Sequence, residues 1–245
     1  MSVKQLVLPF DLSDTACFKS YIATNNQWAV NALQQWSLGQ TTERLCVCWG
    51  PLGSGRTHLL NASCQTALLS GQRVFYLDCL EAIHYQPCIL EDLSSIGLVC
   101  LDNVDVVLGQ LEWEKALFHL YNEMIVTGQG RLLWSVTVSP EHLNVVLKDL
   151  HSRLLSWVLS LLPLSEQALS QALVQRAHQR GFVLTVQASQ YILKYLSCCT
   201  HCVFKYLDQL DQHSLRDQRR VTIPFLKRHA PILTPCAHCQ KGVHL

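Results

Sequence analysis

The sequence predicts an α/β fold, a mostly parallel sheet with helices on both faces, followed by a smaller all-helical region. Three observations carry that prediction. Apolar runs of strand length alternate with helix-like segments along the first two thirds of the chain. A glycine-rich turn joins the first of these runs to a helix start. Past Leu161-Leu162-Pro163-Leu164 the strand-length runs stop and only helical periodicity continues.

Each element follows from local pattern. Gln5-Leu6-Val7-Leu8-Pro9-Phe10 is an apolar leader in which Pro9 blocks helix, so it is expected to be extended. A helix is predicted from about Asn26 to Trp36, with Asn25 or Thr24 as N-cap and Trp28, Val30, Leu33 and Trp36 as anchors. Leu45 to Trp49 reads as a buried strand, and the helix after the glycine turn ends at Gly71. Val74 to Leu77, ending at Asp78, and Ile96 to Leu101, running into Asp102-Asn103, are the next two strands. An amphipathic helix covers Trp113 to Val126 and is closed by Gly128, before a strand at Arg131 to Val136. Three helical stretches follow: Ser165-Glu166 to Arg180, Val186 to Leu196 and His201 to Leu215. The expected organisation is an N-terminal segment over 1–12, an α/β unit over 13–163, a helical unit over 164–230 and a disordered tail over 231–245.

Composition narrows the function classes. Of 245 residues, 49% are apolar and 15% charged, which provides for a packed core and argues against disorder. A formal charge of +1 gives no global field for grasping DNA or an anionic membrane. No run has the length of a membrane span, and the N-terminus lacks the order of a signal peptide, so a cytoplasmic protein is expected. Of the 12 cysteines, Cys46, Cys48, Cys64, Cys79, Cys88 and Cys100 sit in apolar runs and read as small buried hydrophobes. Cys236 and Cys239 form one CxxC near the chain end. Cys199, His201 and Cys202 offer no matching motif spacing, so zinc is not expected.

The chemistry is concentrated in Gly50-Pro51-Leu52-Gly53-Ser54-Gly55-Arg56-Thr57-His58. Between a strand and a helix, such a turn is a phosphate-binding loop: backbone N–H groups wrap the phosphate and the helix N-terminus adds its dipole. Arginine stands at position 56, where this motif carries lysine; its forked guanidinium keeps the charge but not the point-like ammonium. Thr57 is placed to offer its hydroxyl to magnesium. An apolar strand ending in an acid, roughly fifty residues past a phosphate loop, supplies the second half of a nucleoside-triphosphate site. Here that acid is Asp102, the magnesium partner of Thr57. The next residue, Asn103, can hydrogen-bond a water but cannot act as a general base near neutral pH. Ser135 falls at another strand end on the same side. Arg153, in Ser152-Arg153-Leu154, reads from spacing alone as a solvated arginine or a partner of Asp149 or Glu141, and otherwise as an arginine finger.

Together these residues resemble the AAA+ ATPases, in the branch of the replication initiator DnaA and the shorter Hda-type regulatory inactivators of DnaA. The resemblance rests on Gly50 to Leu60, Leu98 to Asn103, Trp113 to Asn122, Ser152-Arg153-Leu154, Arg180-Gly181-Phe182, Leu207 to Asp211 and Arg219 to Phe225. It spans about residues 3–228. It implies an AAA+ P-loop NTPase base with a small all-α lid. The expected role is a negative regulator of replication initiation that holds ADP, with ATP as the alternative, and stimulates hydrolysis of ATP bound to DnaA. Arg153 would be a finger acting in trans. Gln5, Leu6, Leu8, Pro9 and Phe10 resemble the peptide that docks on the DNA polymerase III β sliding clamp. The phosphate-loop residues, Asp102, Ser135 and His201 are the implied nucleotide contacts, with His201 where relatives carry a lid arginine. The stretch Trp134 to Pro140 departs from the more polar run of relatives and leaves the sensing role to Ser135 or Thr137. The chain stops after the lid-like residues, so sequence-specific DNA reading is not expected; a homodimer is compatible with the sequence. The competing readings are an autonomous ATPase acting as a motor or loader, and a nucleotide-free interaction module.

Overall fold

Four of the apolar runs become strands of a parallel sheet, and a fifth strand joins them from a stretch that the sequence pattern does not single out. The computed structural model describes residues 16–82, 84–128, 130–196, 203, 204, 206, 207, 210 and 220–229. They divide into two compact units, on either side of the Leu162–Pro163 junction.

In the first unit the strands are β1 (Leu45–Trp49), β2 (Val74–Asp78), β3 (Leu98–Asp102), β4 (Arg131–Val136) and β5 (Val158–Ser160). Their spatial order is β2-β3-β4-β1-β5, and every pairing is parallel. Parallel strands are covered on both faces, which is why β1 and β3 are apolar at nearly every position. Alternate residues serve opposite layers. Leu45, Val47, Val99, Leu101, Leu132 and Trp134 pack with α4 (Leu111–Thr127) and α5 (Lys148–Leu154). Cys46, Cys48, Leu98, Cys100 and Leu133 pack with α1 (Gln27–Ser37) and α2 (Arg56–Leu69). A four-residue α3 (Cys79–Ala82) follows β2 directly.

Several expectations are corrected. Asn26 is the N-cap residue of α1, not Asn25 or Thr24, and its side chain does not cap the helix. Its amide instead donates to the Tyr21 hydroxyl at 2.9 Å and to the Leu162 carbonyl at 2.8 Å, and accepts from Leu162 N–H at 2.9 Å. Trp28 is 55% exposed, because Ala29, Val30, Leu33 and Trp36 define the buried face and Trp28 falls on the other side. Cys88 is exposed on a short 3-10 turn, while Cys46, Cys48, Cys64, Cys79 and Cys100 are buried. β5 is the missed strand; with three residues it is too short to show a periodicity. The leader, His201, Cys198, Cys199, Cys202 and the tail lie outside the described residues.

The second unit holds α6 (Glu166–Gln179), α7 (Val186–Leu196) and a later helix, Ile223–His229. Ser165 accepts from Ala168 N–H at 3.2 Å as the N-cap of α6. Leu173, Ala177, Phe182, Ile192, Tyr206, Leu207, Val221 and Leu226 form its core. An isolated bridge pairs Leu184 with Val221. Among the described residues no helix is long and apolar enough to cross a membrane.

Candidate functional site

The parallel register brings the ends of β2, β3 and β4 together beside the loop that leaves β1. Asp78 and Asp102 are direct neighbours across the sheet, and Ser135 follows the Leu101–Trp134 pair by one residue. The phosphate loop turns at Gly53 and Gly55, both at positive φ, and hands over to α2 at Arg56. A Cβ at Gly55 would lie 2.5 Å from the Tyr21 ring, so only glycine lets the loop pass there. Tyr21 also donates its hydroxyl to the Ser54 carbonyl at 2.7 Å. Burial pushes the Tyr21 phenol up to about 12. The loop is thus held from outside by a chain running from Leu162 through Asn26 and Tyr21 to Ser54.

Asp102 is the hub of the site and fully buried. Its Oδ2 accepts from the Thr57 hydroxyl at 2.6 Å and the Tyr76 hydroxyl at 3.1 Å. Its Oδ1 accepts from the Ser135 hydroxyl and from Asn103 N–H, the latter at 3.1 Å. The Ser135 oxygen in turn accepts from Asn103 N–H at 2.9 Å. Ser135 therefore stands behind Asp102 and orients it, with its hydroxyl proton committed there. Thr137 donates to Asp105, whose other oxygen is buried and has no hydrogen-bond partner among the described residues. Burial and the Asp102 charge hold the Tyr76 phenol far above its ordinary range.

Arg56 turns inward. Its Nη1 donates to the carbonyls of Gly50 and Val136, the latter at 2.9 Å, and its Nη2 lies 3.4 Å from Asn103 Oδ1. Burial lowers its pKa, and the charges of Asp102 and Asp105 work against that shift. Asn103, at φ 54, also donates from Nδ2 to Asp78 Oδ1 at 3.0 Å. An amide can serve a guanidinium on one side and a carboxylate on the other, which a second carboxylate could not. His58 Nε2 lies 3.0 Å from the Cys17 carbonyl and 3.3 Å from the Ser20 hydroxyl, so it braces the segment before α1.

The fit of a phosphate group can be tested on these residues. Ser54 Oγ is buried inside the loop and has no hydrogen-bond partner among the described residues. The first N–H groups of the fourteen-residue α2 open onto the same turn. Thr57 is exposed at its side and shares Asp102. Among the described residues no cluster of three His, Cys, Asp or Glu could hold a metal by itself. Thr57 with Asp102 is the pair suited to a magnesium ion that phosphate also binds.

Two family models match this chain. The model described as "Bacterial DnaA ATPase domain" matches residues 12–161, more than half of the chain, and "Hda, lid domain" matches residues 166–229. The chain belongs to the DnaA-related AAA+ family. Solved structures agree in fold. Domain III of the Thermotoga maritima replication initiation protein DnaA is 15% identical, with 91% of this chain and 98% of that one covered at a TM-score of 0.73. AMPPCP-bound DnaA from Aquifex aeolicus is 17% identical, with 85% and 69% covered and a TM-score of 0.67. The Thermotoga maritima RuvB Holliday junction branch migration motor is 14% identical, with 81% and 64% covered and a TM-score of 0.60. The first unit is accordingly an AAA+ α/β base and the second a helical lid.

Within this AAA+ base, Arg153 stands apart from the phosphate loop's hydrogen-bond network. It is exposed on α5, and its guanidinium carbon lies 5.6 Å from the centre of the half-buried Tyr121 ring. It pairs with neither Asp149 nor Glu141; among the described residues the ion pairs are Lys115–Glu112 and His119–Glu123. Sequence reasoning missed Tyr21, Asn26, Tyr76, Asp105 and Glu114. Tyr76 alone had a signal: it sits two residues before Asp78 on a strand leading into the site.

Proposed function

We propose that this protein is a nucleotide-holding regulator of the initiator DnaA, supplying Arg153 to ATP bound on DnaA. The observation that carries the reading is the contrast between Arg153, exposed and without a carboxylate partner among the described residues, and the chain's own phosphate loop. Beside that loop, Asn103 occupies the place next to Asp102 where a base would act, and it is tied to Arg56 and Asp78. Such a loop holds a nucleotide, ADP in this reading, and leaves hydrolysis to the partner. The Ser54 and Thr57 hydroxyls and the N–H groups of Gly53, Gly55, Arg56 and Thr57 would hold its phosphates; Thr57 and Asp102 would hold magnesium. Magnesium there would offset phosphate charge. Arg56 contributes positive potential beside the loop and ties the loop's Gly50 carbonyl to the Val136 carbonyl at the end of β4. Gln5, Leu6, Leu8, Pro9 and Phe10 would dock on the β sliding clamp, bringing the regulator to DNA-loaded clamps.

The test is hydrolysis of DnaA-bound ATP with DNA-loaded clamp, with and without this protein. Stimulation is expected for the intact chain and its loss for Arg153→Ala; undiminished stimulation by that variant would refute the finger. Clamp affinity unchanged by Gln5→Ala with Leu8→Ala would remove the docking role. An intrinsic ATPase has one observation in its favour, the buried Asp105 oxygen that has no hydrogen-bond partner among the described residues. Turnover by the isolated protein that disappears in Asp105→Asn would establish that alternative.

A further inference from the structure

The motif Trp113-Glu114-Lys115-Ala116-Leu117-Phe118-His119-Leu120-Tyr121-Asn122 on α4 has no part in the phosphate site, yet two of its side chains reach towards the helix that bears Arg153. Glu114 is fully buried. Its Oε1 accepts from Gly109 N–H at 2.7 Å and Val146 N–H at 3.0 Å, and its Oε2 accepts from Leu147 N–H at 2.7 Å. Leu147 is the N-cap residue of α5, so this carboxylate pins the start of the arginine's helix to α4. Tyr121 lies seven residues further on, two helical turns along the same face. Its ring meets the guanidinium of Arg153 at the other end of α5.

We infer that α4 is the mount of the finger: Glu114 fixes where α5 begins, and Tyr121 is a positioning residue that holds the Arg153 guanidinium. An aromatic face suits this task because it attracts a guanidinium without neutralising it. A carboxylate in the same place would draw the cation into an ion pair that an incoming phosphate would have to break. The ring limits the side chain's rotamers and leaves its outward N–H groups to a partner's anionic group. The inference rests on the reading of Arg153 as a finger.

The experiment compares the wild-type chain with Tyr121→Leu, Tyr121→Phe and Arg153→Ala. It measures hydrolysis of DnaA-bound ATP on DNA-loaded clamp over a range of regulator concentrations. Tyr121→Leu is expected to lower the maximal stimulated rate about two- to fivefold. Its half-saturating concentration should stay unchanged, and Tyr121→Phe should retain the wild-type rate. In parallel, the Arg153 Nε–H resonance of the intact chain should carry a ring-current shift that Tyr121→Leu removes and Tyr121→Phe keeps. A full rate in Tyr121→Leu while Arg153→Ala is inactive overturns the positioning role and leaves the finger standing. A loss seen only in half-saturation, or an equal loss in Tyr121→Phe, overturns it too. Undiminished stimulation by Arg153→Ala removes the finger and this inference together. Should Tyr121→Leu fail to fold, the resonance of the wild-type chain decides: no ring-current shift overturns the proposal.

Discussion

At the ends of β2, β3 and β4 charged groups face inward and answer one another, whereas on α5 the charged group faces outward with only an aromatic ring beside it. Asp102 is fully buried and accepts four hydrogen bonds. Arg153 is exposed and has no ion pair among the described residues. On the function proposed above, the difference separates holding from acting within one base domain. A saturated network fixes its groups and resists change, as suits a bound nucleotide that is kept. An exposed cation, steadied but not neutralised, retains its potential for a phosphate supplied from outside.

The comparison can be broken from either side. Arg153→Ala carries the largest expected effect, a fall of about 10³-fold or more in stimulated hydrolysis if the finger acts as others do. Because the residue is exposed, melting should be unaffected, and a shifted melting curve would count against a purely external role. Asp102→Asn comes next. It keeps the size but gives three hydroxyls and an N–H a poorer acceptor, with a cost of about 2–3 kcal/mol in denaturant unfolding. Magnesium-dependent nucleotide retention should fall with it. Gly55→Ala should cost about 1–3 kcal/mol, since it combines positive φ with the collision against Tyr21. Adding Tyr21→Ala should relieve only the collision, and full recovery would show that φ is not the obstacle. The smallest effect concerns alkaline pH. With its phenol raised to about 12, Tyr21 contributes stability that is complete below pH 10 and lost as pH rises towards 12. Tyr21→Phe should flatten that part of the pH–stability curve, read from melting temperatures.

Much of this arrangement was legible in the sequence because strong local patterns decide it. The limits of β1 and β4, the glycine end of α4 and the convergence of Asp78, Asp102 and Ser135 at strand ends all follow from short apolar runs and punctuation. The partners of those residues were not legible. Asn26 bonds to Leu162 and Tyr21 to Ser54, 136 and 33 residues apart, and no spacing rule links them. Trp28 misled because one large apolar side chain looks like an anchor, while the buried face of α1 is set by Ala29, Val30, Leu33, Trp36 and Ser37 together. Arg56 was legible as a substitution, but its inward direction was not. A guanidinium can reach two carbonyls beneath the loop that only folding brings near each other.

That inward arginine bears on how such a protein could change in descent. Placing lysine at position 56 alone would give up the fork that joins Gly50, Val136 and Asn103, since one ammonium cannot span all three. Placing a carboxylate at position 103 alone would set it against Asp78 and discard the amide that now bridges Arg56 and Asp78. The two substitutions touch one network, so their effects on stability should not add. Positions 56 and 103 are in this sense a single unit of change.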